Sequence, residues 1–363
     1  MDAKAQIEED QRKYQEDRSF FNMLSELLCG VFGLFMILPL AIYGLFGREP
    51  KISYDAEYEY DLPTDSTPIE VNYIVVGNAG DLDNNSIYAT ILDLINRKYF
   101  EVMASTDDDT ILRQTNQDTS TLKSFEKSLI NYLKKFELNG DISLKSIADT
   151  GNPQDFTNFK DSWTASASKE VPNSLLKRYF DDKGSNIFNV LSLIIFVLGI
   201  LLLIIYAFID FPPKLFLIIP TIAILLLAEG IIMMGIPNTF AGRWTPEGKE
   251  YHDKWKSFEN YLKDFSLIKE RPPASIQVWG KYLVYAAALG CADEVTKNMK
   301  EYFDLVAVSD DYYHNSHAVL FAYYGGFNHL DSTFTALTPS SSDSGGIGGV
   351  GGGGFGGGGG GTF

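Results

Sequence analysis

The 363-residue sequence has a formal net charge of −17 and only two cysteines, Cys29 and Cys291. Because a nucleic-acid-binding protein needs a basic surface, this excess of acid disfavours DNA or RNA as a partner. The cysteines lie far apart in the sequence, and Cys29 falls in an apolar run, so they predict neither a disulfide framework nor a thiolate metal site.

Three apolar runs decide the class of the protein. The first, residues 20–46, follows a polar segment of residues 1–19; the second and third, residues 186–209 and 215–236, are separated by a turn containing Pro212–Pro213. Each run reaches the roughly 20 residues that a helix needs to cross about 30 Å of hydrocarbon. The predicted fold class is therefore a mainly α membrane protein with three transmembrane helices, and the lipid bilayer is its first partner.

Lysine and arginine residues predict the orientation of the spans. Basic residues flank the outer ends of the second and third runs, whereas the turn between them holds only Lys214. The positive-inside bias therefore predicts a multi-pass protein of the cell membrane, with residues 47–185 and 237–363 in the cytoplasm. The first run then needs its N-terminus outside, although four basic residues precede it: Lys4, Arg12, Lys13 and Arg18.

One carboxylate, Glu229, lies well inside the third run, at roughly 10 Å from its end along a helix axis. In an antiparallel helix pair, Asn189 and Ser192 of the second run are expected at a similar depth, where they could hydrogen-bond Glu229. A functional interpretation makes Glu229 an ion or proton relay. A structural interpretation makes it a protonated or interface-seeking carboxylate that ties the helices together, and this one is favoured because no other charged residue lies deep in the spans.

Residues 47–185 predict an α+β unit. An acidic, tyrosine-rich stretch at residues 51–65 is expected to be an extended linker. The stretch SIYATILDLINRKYFEV, residues 86–102, then predicts a helix followed by a strand, and the acidic turn STDDDT leads into a second strand, ILRQT. Helix, strand, polar turn and strand outline a winged-helix-like module. Its wing tip would be Asp107–Asp108–Asp109, which would repel phosphates, so a structural or protein-contact role is predicted in place of DNA binding.

The stretch RWTPEGKEYHDKWKSFENYLKDF begins a helical module at residues 243–335, predicted to be cytoplasmic. Thr245 and Pro246 are typical of a helix start. His252 lies between two acids, but adjacent positions on a helix point in different directions, so it is expected on the surface. Residues 276–289 predict a second helix, either buried or lying against the bilayer. Aromatic and aliphatic residues three and four apart predict the buried face of the first helix: Tyr251, Trp255, Phe258, Tyr261 and Leu262.

Several of these stretches occur in an order that resembles one family. GREP after the first run, SIYATILDLINRKYFEV, WTPEGKEYHDKWKSFENYLKDF, KYLVYAAALGCADE and a glycine-rich end are similar to the membrane proteins of the domain of unknown function 2207 family. The resemblance covers nearly everything from Gly47 onward. It implies a multi-pass prokaryotic membrane protein with a cytoplasmic body, and it implies no catalytic residues. Family members typically begin with a signal peptide and an extracytoplasmic β-sandwich domain, which residues 1–19 are too few to supply.

The last segment, residues 338–363, is rich in serine and then in glycine. It cannot bury enough apolar surface to offset the entropy of ordering it, so a disordered tail is predicted. An alternative has Phe355 and Phe363 docking on a partner or on the chain itself. The tail lacks the Gly-Lys-Ser/Thr context of a phosphate loop.

His314 and His317 are three residues apart and could join a metal site if they shared a helix. Because such pairs arise often by chance and the HExxH motif is absent, no metal, cofactor or catalytic residue is predicted. These two histidines are therefore only weak candidates.

Three functions are compatible with these features. The leading hypothesis is a non-enzymatic, membrane-anchored scaffold or regulatory protein with protein partners, because no nucleophile, Walker or Rossmann motif is present. The alternative is a transporter or channel component that uses Glu229, which requires a homo-oligomer because three spans are too few for a pore. A membrane-bound hydrolase using His314 and His317 is the weakest.

Overall fold

The structure is a computed structural model, and it describes residues 3–76, 79–106, 108–209, 211–309, 312 and 314–338. The predicted glycine-rich tail beyond Thr338, with Phe355 and Phe363, therefore lies outside the described residues, as does Asp107 of the acidic turn. The described part is mainly helical, in agreement with the predicted fold class.

Three helices are long and apolar enough to cross a membrane, as predicted: α1 (Ala3–Ile42), α8 (Lys183–Phe208) and α9 (Pro213–Met234). The helix α1 also includes most of the polar segment that precedes the apolar run, and it ends in a π-helical turn, Tyr43–Gly47. The helices α8 and α9 pack closely as a hairpin, because a Cβ placed on Gly230 would lie 2.9 Å from the Cβ of Phe196. Along α1, by contrast, much of the apolar run is exposed, including Leu34, Ile37 and Leu40, whereas Ile42 is buried and Phe32 and Phe35 pack partly against the hairpin.

The remaining elements form one body. Those before the hairpin are α2 (Pro68–Val75), α3 (Asn84–Asn96), β1 (Phe100–Ser105), β2 (Thr110–Gln114), α4 (Ser124–Lys134), β3 (Glu137–Leu138), β4 (Asp141–Ser143), α5 (Leu144–Thr150), α6 (Pro153–Glu170), α7 (Asn173–Tyr179) and β5 (Phe180–Asp181). Those after it are α10 (Asn238–Ala241), β6 (Arg243–Trp244), α11 (Pro246–Lys263), α12 (Phe265–Glu270), α13 (Ile276–Leu289), α14 (Ala292–Leu305), α15 (His317–Tyr323) and α16 (Gly326–Leu337).

The helices α3 and α13 pack together at the centre of the body, so segments from both sides of the hairpin share one hydrophobic core. The helix α13 ends at Gly290, whose φ of +79° is the left-handed conformation of a glycine cap. The spacing of Ile87, Ile91, Leu94 and Ile95 predicts one apolar face for α3, yet Ala89 and Leu92, outside that face, are buried too. A buried amide joins the halves: Asn72 Nδ2 donates to the Ala288 carbonyl at 2.9 Å.

The acidic stretch at residues 51–65 is extended, as predicted, and it is also fastened to the body. The Glu59 backbone N–H donates to the Ser257 carbonyl at 3.1 Å, and the Tyr282 hydroxyl donates to the Tyr60 carbonyl at 2.9 Å. This segment therefore acts as a strap across α11 and α13 and not as a free linker.

The predicted strand pair is present as β1 and β2, but it is part of a larger antiparallel sheet with strand order β1-β2-β4-β3. At the turn between β1 and β2, the carboxylate of Asp109 accepts hydrogen bonds from the Ser143 hydroxyl at 2.6 Å and the Lys145 backbone N–H at 2.9 Å. The acidic turn is thus docked at the start of α5 and does not project as a free loop.

The helix start predicted after the third run is confirmed. The hydroxyl of Thr245 accepts from the Gly248 backbone N–H at 3.0 Å, and Pro246 is the first residue of α11. All five residues of the predicted apolar face are buried: Tyr251, Trp255, Phe258, Tyr261 and Leu262. The spacing of these side chains was therefore sufficient to identify the face that packs on the core.

Candidate functional site

The apolar helices meet the body at one place, which we call the junction and define by Gly47, Gly184, Gly242 and Gly248. A Cβ added to any of these glycines would come closer than 3.0 Å to atoms of another segment, a separation that real Cβ atoms do not show. The atoms met are, in the same order, the Phe240 carbonyl, the Ala241 carbonyl, the Phe180 ring and the Tyr179 carbonyl. The segments that enter and leave the hairpin therefore touch through their backbones.

A two-stranded sheet holds the junction together. In it β5 pairs antiparallel with β6, so that Phe180 faces Trp244 and the two rings lie 5.1 Å apart. The pairing continues past the strands, because the Thr245 backbone N–H donates to the Tyr179 carbonyl at 2.9 Å and the Thr245 hydroxyl donates to the Arg178 carbonyl at 2.7 Å. The chain thus enters and leaves the hairpin at neighbouring points.

A charged cluster connects α1 to the same place. The Lys249 ammonium lies 2.7 Å from the Asp253 carboxylate and 3.5 Å from that of Glu49, which follows the π-helical turn. Burial works against the charged form of Lys249, but hydrogen bonds and attraction from Asp253 and Glu49 outweigh it and raise its pKa. Burial also raises the pKa of Glu49, against the opposing effect of Lys249.

His252 completes this cluster, and its predicted position on the surface is wrong. Its side chain is only 21% exposed, its Nδ1 lies 3.0 Å from Asp253 Oδ1, and its ring lies 5.0 Å from that of Trp244. Adjacent residues on a helix do diverge, but the Asp253 side chain folds back to reach the imidazole. Burial lowers the pKa of His252 although Asp253 acts in the opposite direction.

The partly buried imidazole of His252 predicts that acid weakens the junction. Because the folded-state pKa of His252 lies below its unfolded value of about 6.5, the unfolded chain binds more protons below that pH, and stability is lost as the pH falls. We expect the melting temperature of the full-length protein in detergent to decline between pH 7.5 and 5.5, with a shallower slope in His252→Gln.

A second variant, His317→Gln, tests whether the effect of His252 is separate. Burial also lowers the pKa of His317, so this variant should likewise make the slope shallower. Because the two histidines lie in different parts of the body, their effects on the slope should add in the double variant. Identical slopes for wild type and His252→Gln would contradict the assignment.

The structure does not bring Asn189 and Ser192 to Glu229. Asn189 Nδ2 donates to Asn238 Oδ1 at 3.2 Å, and the Ser192 hydroxyl donates to the Asn189 carbonyl of its own helix at 2.7 Å. Glu229 Oε2 is buried and has no hydrogen-bond partner among the described residues.

The expected depth fails because the register of the hairpin, as its close contacts define it, differs from the one assumed. Gly230 packs on Phe196, which places Glu229 about one helical turn deeper than Ser192.

His314 and His317 do not share a helix, because α15 begins at His317 with Ser316 as its cap. The Nδ1 of His317 accepts from the Val102 backbone N–H at 3.1 Å, so this nitrogen anchors α15 to β1. A third histidine, His329, has its Nδ1 2.8 Å from the Thr110 hydroxyl. In the part of the chain that the structure describes, no three His, Cys, Asp or Glu side chains come together as metal ligands.

Sequence reasoning missed the junction glycines and the pair formed by Glu49 and Lys249. A signal for one of them was available, since Gly248 stands in the first turn of a helix, where glycine is unfavourable and calls for a packing reason. The other contacts join segments that are distant in the sequence, and no local pattern marks them.

Comparison with known families gives one match. A family model described as "Predicted membrane protein (DUF2207) C-terminal domain" matches residues 55–299, which include the hairpin, the strap and most of the body. No curated protein and no solved structure gives a significant match.

Proposed function

Because this chain belongs to the family of predicted membrane proteins that have the DUF2207 C-terminal domain, we propose that it is a non-enzymatic scaffold or regulatory protein anchored in the cell membrane. Three spans would hold it there, and the body would lie in the cytoplasm, on the side that the basic residues around the hairpin favour. Its task would be to present a folded surface to other proteins at a fixed position relative to the bilayer.

The observation that carries this proposal is the backbone contact at the junction. Gly184 and Gly248 allow no side chain between the hairpin and the body, and the pairing of β5 with β6 leaves no linker there. A body on a long linker would sample many orientations. A body joined without a linker keeps a fixed orientation relative to the hairpin, as a scaffold requires.

The helix-and-hairpin unit formed by α3, β1 and β2 is proposed as a winged-helix-like element with a structural role. A DNA-reading helix must leave a face free to enter a groove. Burial of α3 beneath α13 leaves no such face, and Asp109 of the acidic turn is already bonded to Ser143 and Lys145. These contacts support protein partners over nucleic acid.

A groove between α4 and α6 is the surface proposed for the partner. It encloses about 670 Å³ and is lined largely by hydroxyl, amide and charged side chains, including Lys127, Asn131, Asp155 and Asn158. At its floor the Tyr132 hydroxyl is buried without a hydrogen-bond partner. A floor with an unused hydroxyl and walls of hydrogen-bonding groups suits a polar segment of another protein.

Site-specific photocrosslinking in intact membranes tests this proposal. A crosslinking amino acid at Asn131 or Asn158 should yield one discrete adduct, whereas the exposed position Glu301 on α14 should not. The variant Lys135→Glu should abolish the adduct while leaving the melting temperature nearly unchanged, because this lysine of the groove is exposed. Adducts that form equally from Glu301, or none from either groove position, would refute the proposal.

A transporter or channel component formed by several copies is the second candidate. It is favoured by one observation, the buried Glu229 Oε2, which has no partner among the described residues and lies in a hairpin next to the largely exposed apolar run of α1. Such a carboxylate could bind a cation once copies associate. Ion flux in proteoliposomes that is unchanged by Glu229→Gln would eliminate this candidate.

A further inference from the structure

A cleft on the far part of the body has the features of an anion site. It encloses about 270 Å³ between α14 and the turn that leads into α16, a size suited to a small inorganic ion. Its lining includes the N-terminal residues of a helix, the lysines Lys297 and Lys300, Thr296 and the acid Asp293.

The first wall is the N-terminus of α16, a helix of 12 residues. Its cap is Gly325, whose φ of +87° turns the chain sharply and which offers no side chain to the helix. The first helical hydrogen bond is donated by the His329 N–H to the Gly325 carbonyl, so the N–H groups of Gly326, Phe327 and Asn328 have no partner inside the helix. Free N–H groups and the helix dipole together attract anions.

The second wall contains Lys297 and Lys300, which are one turn apart on α14 and line the cleft together. Neither forms an ion pair with a described residue, although the protein has far more acids than bases. The Lys300 ammonium lies 5.4 Å from the centre of the Tyr323 ring, which holds it beside the cleft.

A third group, Thr296, lines the same cleft and points independently to a ligand. The residue is 9% exposed, and its hydroxyl has no hydrogen-bond partner. Buried hydroxyl groups in folded proteins are nearly always paired. An oxyanion in the cleft would supply the missing partner.

Asp293 is also in the lining, and it selects among anions. A carboxylate repels an oxyanion unless the anion carries a proton to donate to it. Hydrogen phosphate retains such a proton near neutral pH, whereas sulfate has none.

We propose that this cleft binds inorganic phosphate, with its oxygens on the α16 N-terminus, Lys297 and Lys300, and its hydroxyl donating to Asp293. Thr296 donates its hydroxyl hydrogen to a phosphate oxygen. The site lies apart from the groove between α4 and α6, and it does not depend on the proposed scaffold function.

Titration calorimetry on the full-length protein in detergent, in a buffer without phosphate, tests the site. Wild type is expected to bind inorganic phosphate saturably and to bind sulfate at least about tenfold more weakly at equal ionic strength, because sulfate has no proton to donate to Asp293. Lys297→Gln/Lys300→Gln should weaken phosphate binding about tenfold or more. The control Lys281→Gln, an exposed lysine on α13, should leave it unchanged.

Asp293→Asn tests the selectivity for phosphate over sulfate, which would not change if Asp293 had only a structural role. Removing the carboxylate should allow sulfate to bind about as well as phosphate, so the variant is expected to lose selectivity and keep affinity. Absence of saturable phosphate binding to folded wild type, equal binding of sulfate and phosphate by wild type, or unchanged binding in the double lysine variant would each overturn the proposal.

Discussion

Replacing Gly248 by alanine is expected to destabilise the protein by about 1–3 kcal/mol, the usual cost of forcing an extra methyl group into a packed site. In an exposed helix the same change would stabilise by up to about 1 kcal/mol, since alanine is the better helix former. Here the new Cβ would overlap the carbonyl oxygen of Tyr179, a backbone atom that also accepts the Thr245 N–H and cannot rotate away. The clash therefore outweighs the gain in helix propensity, and α11 must separate from β5.

Thermal unfolding of the full-length protein in detergent measures this effect, and Gly30→Ala in α1 is the matched control. A Cβ at Gly30 meets no atom within 4 Å, so this variant should melt at or slightly above the wild-type temperature. The same substitution should thus have opposite signs at the two positions. A Gly248→Ala protein as stable as Gly30→Ala would show that the backbone contact at the junction is not tight.

Replacing Trp255 by alanine should be more damaging, with a loss of about 3–5 kcal/mol, the range for large aromatic residues removed from a core. Its side chain is fully buried and lies 5.1 Å, centre to centre, from the stacked ring of Tyr285 on α13. Removing it opens a cavity between α11 and the central helix, so the two parts of the body lose a main contact.

The variant Trp255→Phe separates the effect of lost side-chain volume from the effect of removing the indole N–H. Trp255 Nε1 is buried and has no acceptor among the described residues, so phenylalanine removes an unsatisfied donor along with part of the volume. The two effects oppose each other, and the loss should stay below about 1.5 kcal/mol. Chemical denaturation monitored by circular dichroism provides both values, and a Phe variant as unstable as the Ala variant would contradict this account.

Local sequence patterns were enough for the helices whose burial follows from their own periodicity. Runs of about 20 apolar residues located α8 and α9, and the spacing of the aromatic residues identified the buried face of α11. Gly290 marked the end of α13 because a left-handed cap selects glycine. In each case the signal and the structure lie within one stretch of chain.

The sequence-based predictions failed where contacts between segments distant in the sequence determine the structure. Burial all around α3 comes from its packing on α13, and the bond from Asn72 to Ala288 spans 216 positions of sequence. The environment of Glu229 depends on the register of two helices, which is seen in the contacts of Gly230 with Phe196 and of Gly199 with Leu227 and not in the apolar pattern of either run. His252 was misplaced because its neighbour Asp253 bends toward it, which no helical wheel represents.

The same distinction between local patterns and long-range contacts applies to the candidate sites. At the junction, Thr245 was recognised beforehand, since a helix cap is a local feature, whereas the local signal at Gly248 was overlooked. The cleft beside Lys297 and Lys300 was not recognised at all, because its lysines and its helix N-terminus belong to different elements that meet only in the folded body.

The short ladder between β5 and β6 also fixes an order of events during biogenesis. A ribosome delivers α3 well before α13, and the hairpin of α8 and α9 emerges between them. Arg243 can pair with Asp181 only after the hairpin between them has been synthesised and has folded back, and until then α3 lacks its principal neighbour α13. Completion of the core therefore depends on the hairpin having folded back on itself, so the two halves of the body join after the hairpin has formed.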